Sequence, residues 1–334
     1  MSSGGTMPAF KTSRRALLAG AAATLAAPGL ARAQDAFPNK QIKFIVPYTP
    51  AGATDNISRI VMAKVSDMLG QQVLIDNRAG GGGTIGTDAL AKAAPDGYTI
   101  GLITISMFCM APALYARLPY DPVKDFSPMA GMSVWPNMLV VHPSVPAKTV
   151  PELIALLKAN PGKYNMASSG SGTTIHLAGE MFKQLTGTDM LHVPYKGSAG
   201  AMQDLIAGNV HIMFDNMPSC WPHVQAGKLR ALGVTSRTRN KAAPDVPAII
   251  EFVPNYVVEV WMGFGGPAGV PQPIVDKLAA VGTKALEDAE VKARFAALGS
   301  DPWPMPPKGL QDRIVREIAV WAPIVKASGA KVDG

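Results

Sequence analysis

From Gln41 onward, apolar and polar positions fall into two kinds of short run, and the two kinds alternate. "QIKFIV" (41–46), "QVLID" (72–76) and "YTIGLIT" (98–104) are apolar stretches of strand length. Between them lies "DNISRIVMAKVSDML" (55–69), with Ile57, Ile60, Val61, Val65, Met68 and Leu69 on one helical face. "TIGTDALAKAA" (84–94) is a second helix, closed by the turn "PDG" (95–97). Strand, helix, strand, helix, strand predicts a parallel sheet with helices on its faces.

A second round begins after "LPYDPVKDFSP" (118–128). Strand "NMLVVH" (137–142) leads to the Pro-started helix "VPELIALLKAN" (150–160), then strand "YNMAS" (164–168). Helix, strand "LHVPY" (191–195), helix "AMQDLIAG" (201–208), strand "VHIMFD" (210–215) and "KLRALGV" (228–234) follow. "VEVWMGFGGPAG" (258–269) then leads into helices around "PIVDKLAAVGTKAL" (273–286) and "LQDRIVREIAVW" (310–321). That tail has too few strands to form a domain, so it is expected to return to the first unit. The predicted architecture is α/β with two lobes, each a mostly parallel sheet flanked by helices. Residues 34–138 with 260–334 form one lobe, 139–259 the other, and ligand collects in the cleft between them.

Composition adds compartment and excludes partners. Residues 1–33 hold Lys11, Arg14, Arg15 and Arg32 with no acid, which leaves +3 of the net charge of +7 on the rest. That remainder is too small and scattered for a nucleic-acid surface. "KTSRRALLAGAAATLAAPGLARA" (11–33) runs from a twin-Arg pair through an Ala-rich stretch to a small-residue cleavage site near Ala33, as in a Tat-type export signal. The mature chain is expected to be soluble outside the cytoplasmic membrane, as a monomer. Cys109 and Cys220 are the two cysteines; they have no metal or redox spacing and are read as small buried side chains, with pairing left open.

Candidate chemistry concentrates where strands give way to helices. "MASSGSGTTIHL" (166–177) crowds Ser168, Ser169, Ser171, Thr173 and Thr174 at such a junction, with Gly170 and Gly172 permitting a tight turn. A helix start leaves unpaired N–H donors with partial positive charge, suited to a carboxylate, phosphate or sulfate. An ordinary turn capped by Thr173 is the equal alternative. "VPYTPAGATDNISR" (46–59) repeats the device, with Gly52, Thr54 and Asp55 at a helix start. Asp55 is expected to act as N-cap and to hold loop amides, since its charge would repel a bound anion.

Two enzyme-like readings fare less well. "AGGGGTIGT" (79–87) lacks the lysine of a phosphate loop and the acidic partner of a dinucleotide fold, so it reads as a flexible turn beside the cleft. A secreted serine esterase using Ser171 or Ser169 is the rival function, but no G-x-S-x-G elbow surrounds either serine. No metal or other cofactor is implied, and no enzyme is expected.

The segments "FPNKQIKFIVPYTPAGATD", "DNRAGGGGTIGTDALAKAAPDGYT", "LYARLPYDPVKDFSP", "SSGSGTTIHLAGEMFKQLTG", "HVPYKGSAGAMQDLIAGNVHIMFDN" and "KLRALGVTSRTRNKAAPDVP" occur in this order. Through them the chain resembles the Bug-type solute-binding proteins of tripartite tricarboxylate transporters. The resemblance implies a periplasmic Venus-flytrap protein that closes over a small organic carboxylate: di-, tri- or aromatic. It implies delivery to the large and small membrane subunits of a secondary transporter. Carried over, the ligand loops are Tyr48, Ala51, Gly52, Thr54 and Asp55, and Ser168, Ser169, Gly172, Thr173 and Thr174. Ser106 adds a specificity wall, with Met107 and Phe108 beside it. Asp215 is either a pocket-side acid or a strand-end cap. The family usually has consecutive glycines where this chain has Ala51-Gly52, so a strained Ala51 is expected. Trp135 and Trp261 stand near the predicted crossings, either reaching the cleft or packing the hinge.

Overall fold

The computed structural model describes residues 1–2, 4–5, 37–328 and 330; the rest of the expected export signal lies outside the described residues. The chain divides into two units, Met1–Asn39 and Lys40–Gly334, and the second holds every element below. In Ile42–Val46 (β1), Ile42, Phe44, Ile45 and Val46 are all buried, as a strand covered on both faces requires. Then come Ala53–Leu69 (α1), Val73–Asn77 (β2), Thr84–Ala91 (α2) and Thr99–Thr104 (β3). A π-helical turn, Ser106–Met110, and Ala111–Leu114 (α3) lead to the long strand Phe126–Val141 (β4).

The second round supplies Val150–Ala159 (α4), Asn165–Ser168 (β5), Thr174–Thr186 (α5), Leu191–Pro194 (β6), Ser198–Ala207 (α6), Ile212–Asn216 (β7), Met217–Gln225 (α7) and Arg230–Val234 (β8). Glu259–Pro267 (β9), Gln272–Ala285 (α8), Ala289–Ala297 (α9), Asp301–Pro302 (β10) and Pro307–Ala327 (α10) complete it.

The sheet runs β2-β1-β3-β9-β4-β7-β5-β6, with β8 and β10 also paired to β4. Each half has a parallel triplet: β1 between β2 and β3, and β5 between β6 and β7. The halves are joined through antiparallel β4 and β9. β4 pairs with β9 as far as Pro136↔Glu259 and with β7 from Asn137↔Asn216, so this one strand belongs to both halves of the sheet. The two lobes therefore share one continuous strand. Of the C-terminal helices, α8 packs on α1 and β4, and α10 on the π turn, α3 and β4.

Each half has its own buried aromatic centre. Phe44 meets Phe264 in the first, while Phe182, Phe214 and Tyr256 cluster in the second. The Tyr256 hydroxyl donates to the Ala178 carbonyl at 2.9 Å, so the one polar atom of that cluster is paired. Cys109 and Cys220 are both free and buried, and burial pushes each thiol well above its ordinary value. Among the described residues no helix is long and apolar enough to cross a membrane.

Candidate functional site

Three helices begin at one place. α1 starts behind Gly52, α5 behind Thr173, and α6 behind Gly197. Their first residues enclose a cavity of about 30 Å³ lined by Tyr48, Thr49, Gly52, Ala53, Thr54, Ser106, Ser169, Thr173, Thr174, Ser198, Asn216 and Val260. Each helix start carries roughly half a positive charge on its free N–H groups. The lining contains no Lys, Arg, Asp or Glu. Its attraction for an anion therefore comes from helix starts, with hydroxyls supplying further donors.

The first loop is held from behind by Asp55. Its Oδ2 accepts the Ala51 amide and the Arg59 guanidinium, each at 2.9 Å, and its Oδ1 accepts the Asn77 side-chain amide at 2.9 Å. Burial alone would raise this carboxyl; the Arg59, Ala51 and Asn77 hydrogen bonds outweigh it and hold the group below its ordinary value. The N-cap position belongs to Gly52, not Asp55, because the carboxylate reaches one residue further back to Ala51. Ala51 has φ +66°, the left-handed conformation expected where the family carries glycine.

The second loop turns through Gly170 and Gly172, with φ +131° and +81°. Thr173 caps α5 by accepting the His176 amide at 3.4 Å. His176 Nδ1 in return accepts the Gly172 amide at 3.1 Å, and its ring stacks on His192 at 3.9 Å. Burial pulls both imidazoles down, His176 to about 3 and His192 to about 4, with neighbouring charge adding to it. Both are neutral near pH 7, as the acceptor role of His176 requires. His192 Nε2 meets the Ser168 hydroxyl at 2.7 Å, but Ser168 is fully buried and closed to a substrate. The serine–histidine contact is thus a prop for the loop.

The lobes touch across the cavity. The Thr174 amide donates to Ser106 Oγ at 3.2 Å, joining a helix start of one half to the π turn of the other. Gly82, at φ +66°, lies so close to the second loop that an added Cβ would sit 2.6 Å from the Ser171 carbonyl oxygen. The glycine run is therefore a lip of the cleft, seated on the opposite lobe.

Tyr48, Gly52, Thr54, Ser106, Ser169, Thr173 and Thr174 line the cavity, whereas Ala51, Asp55, Ser168, Gly172 and Asp215 stand behind it. Tyr48 keeps its phenolic proton, since burial raises its titration above the ordinary value against the pull of Thr104 and Ser106. Asp215 is fully buried; its Oδ1 accepts the Ser198 hydroxyl at 3.1 Å and its Oδ2 has no partner. Burial, only partly offset by Ser219, the Asn216 amide and Ser198, raises its carboxyl to about 6. Thr49, Ala53, Ser198, Asn216 and Val260 also line the site, and sequence reasoning missed them. Gly197-Ser198 offered the same strand-end, helix-start signal already used twice. Thr49 was flanked by the chosen Tyr48, and its hydroxyl oxygen is buried without a partner.

Trp135 and Trp261 pack the hinge. Trp135 pairs across from Val260, and its indole donates to Asn216 Oδ1 at 3.0 Å. The fully buried Trp261 donates to Glu317 at 2.7 Å.

Two outcomes are expected from this geometry. Ala51→Gly relieves the left-handed strain at some cost in unfolded-chain entropy, for a net gain of about 0.5–1 kcal/mol in a denaturant titration. Asp215 is raised in the fold, so it costs nothing below about pH 4, where both states are protonated. Its penalty grows as pH rises and is complete above about pH 6. His176 and His192, held low in the fold, act the other way and shed their penalty as pH rises, so melting temperature should climb across that window in the parent protein and climb more steeply in Asp215→Asn.

The chain is similar to known proteins over most of its length. The profile of the tripartite tricarboxylate transporter family receptor matches residues 57–330. Protein BugT of Bordetella pertussis is 37% identical over 314 residues, covering 93% of this chain and 95% of BugT. A solved structure described as a periplasmic transporter superposes with TM-score 0.87 at 41% identity, over 89% of this chain and all of that one. R. palustris Rpa4515 with adipate gives TM-score 0.86 at 34% identity, over 89% of this chain and 100% of the other. MatC from Rhodopseudomonas palustris with bound malate gives 0.83 at 32%, over 86% and 100%. This chain belongs to the Bug-type, TctC-like receptor family of tripartite tricarboxylate transporters, whose solved members share its two-lobed periplasmic-binding-protein fold.

Proposed function

We propose that this protein captures a small organic carboxylate in the periplasm and hands it to the large and small membrane subunits of a tripartite tricarboxylate-type transporter. The lobes that close are residues 34–138 with 260–334, and 139–259, the export signal being removed near Ala33. One observation carries the reading: three helix N-termini from both lobes converge on a cavity with no cationic side chain. A carboxylate satisfies several such amides at once, and its charge is matched by helix starts from both lobes only when the lobes meet. Capture needs a ligand that favours the closed form; no bond has to be made or broken. Relatives solved with adipate and with malate support a dicarboxylate as the first class to test.

The test is thermal unfolding with adipate, malate, citrate and benzoate. A ligand at one hundred times its Kd should add about 2.7 kcal/mol to stability. Flat melting curves with all four would refute carboxylate capture. Because the charge is met inside a buried cup, a tenfold increase in salt should weaken binding by less than about threefold, as read by calorimetry.

A further inference from the structure

A second and larger cavity, of about 340 Å³, lies at the crossing of β4 and β9. Its floor is Val134–Pro136 and Glu259–Trp261, the residues paired where β4 joins the two halves of the sheet. One wall is Trp303 and Asp301 of the first half; the other is Ser236 and Thr238 of the second. Val260 lines both this cavity and the 30 Å³ cup, so the crossing strands separate the two spaces. Trp135, in the floor, also reaches the cup wall through its hydrogen bond to Asn216.

We infer that this rear cavity is a control site for lobe closure, and that a group filling it holds the cleft shut. Both spaces are bounded by the two lobes and share the strands that link them. Rotation about that crossing opens one space only by narrowing the other. In the structure the front is shut, with Gly82 against Ser171 and Ser106 bonded to Thr174, and the rear is wide. The rear walls are braced rather than collapsible. Arg239 makes two bonds to Glu251 at 2.9 and 2.8 Å, and Arg313 lies 4.8 Å over the Trp303 ring while bonding Glu317 at 2.6 Å. A bulky apolar group at the rear is therefore compatible with closed lobes and clashes with open ones. Such a group acts as a linked ligand for the closed state. The lining mixes Val134, Pro136 and Trp303 with Arg239, Lys241, Arg313, Glu259 and Asp301, so an indole- or phenyl-sized body there meets apolar and charged groups alike.

Thr238→Trp fills the cavity from one lobe and Val134→Trp from the other, with Thr238→Ser as the volume control. Small-angle scattering of the ligand-free proteins is expected to give a smaller radius of gyration for at least one tryptophan variant. Adipate affinity should rise about fivefold in that variant. An unchanged or larger radius in both tryptophan variants, each folded, overturns the inference, whether or not adipate binds. A smaller radius without any adipate binding would keep it and count instead against the carboxylate reading, on which only the affinity arm rests.

Discussion

The arrangement depends on three helix starts from both halves being brought to one small space. Each start carries partial positive charge, and gathering three of them without a counter-charge favours an anionic partner between them. Here the starts of α1, α5 and α6 face the same cavity, and the partnerless Thr49 hydroxyl adds to the demand. The cross-lobe bond from the Thr174 amide to Ser106 shows what an oxygen at that position does: it ties one lobe to the other. A ligand oxygen there would do the same work with full negative charge.

Much of the remaining polar architecture keeps those starts in place. Asp55 takes the amide of Ala51, just before α1, and is itself pinned by Arg59 and Asn77. His176 takes the Gly172 amide just before α5, and it is held neutral by burial and by the ring of His192. Asp215 takes the hydroxyl of Ser198 at the start of α6. Every cup-forming loop thus has one titratable side chain hydrogen-bonded to it from outside the cavity lining.

Legibility in the sequence follows from the locality of the physics. Strands such as 41–46 and 98–104, and the α1 face of Ile57, Ile60, Val61 and Val65, were readable because burial period and chain spacing are local. The strain at Ala51 was readable only through the resemblance, because the family usually carries glycine there. The first eleven residues of β4, 126–136, were not readable, because Pro128, Gly131 and Pro136 interrupt the apolar run while pairing with β9 carries it. α7 was hidden for a similar reason, its Pro218 and Pro222 breaking the helical pattern. The site was half legible. Helix starts are local signals, but which side chains end up in front of the cavity and which behind depends on pairing distant in sequence. Ser198 and Asp215 illustrate this: the acid drew attention, yet the neighbouring serine faces the cup. The glycine run looked like a flexible turn because its counterpart, the Ser171 carbonyl, arrives from the other lobe.

The most direct measurement is a crystal structure of the protein grown with adipate. The account predicts a ligand carboxylate inside the cup, with its oxygens within hydrogen-bonding distance of helix-start amides from both lobes. Adipate bound instead in the cavity beside Trp303, or a cup filled by the protein's own side chains, would contradict it.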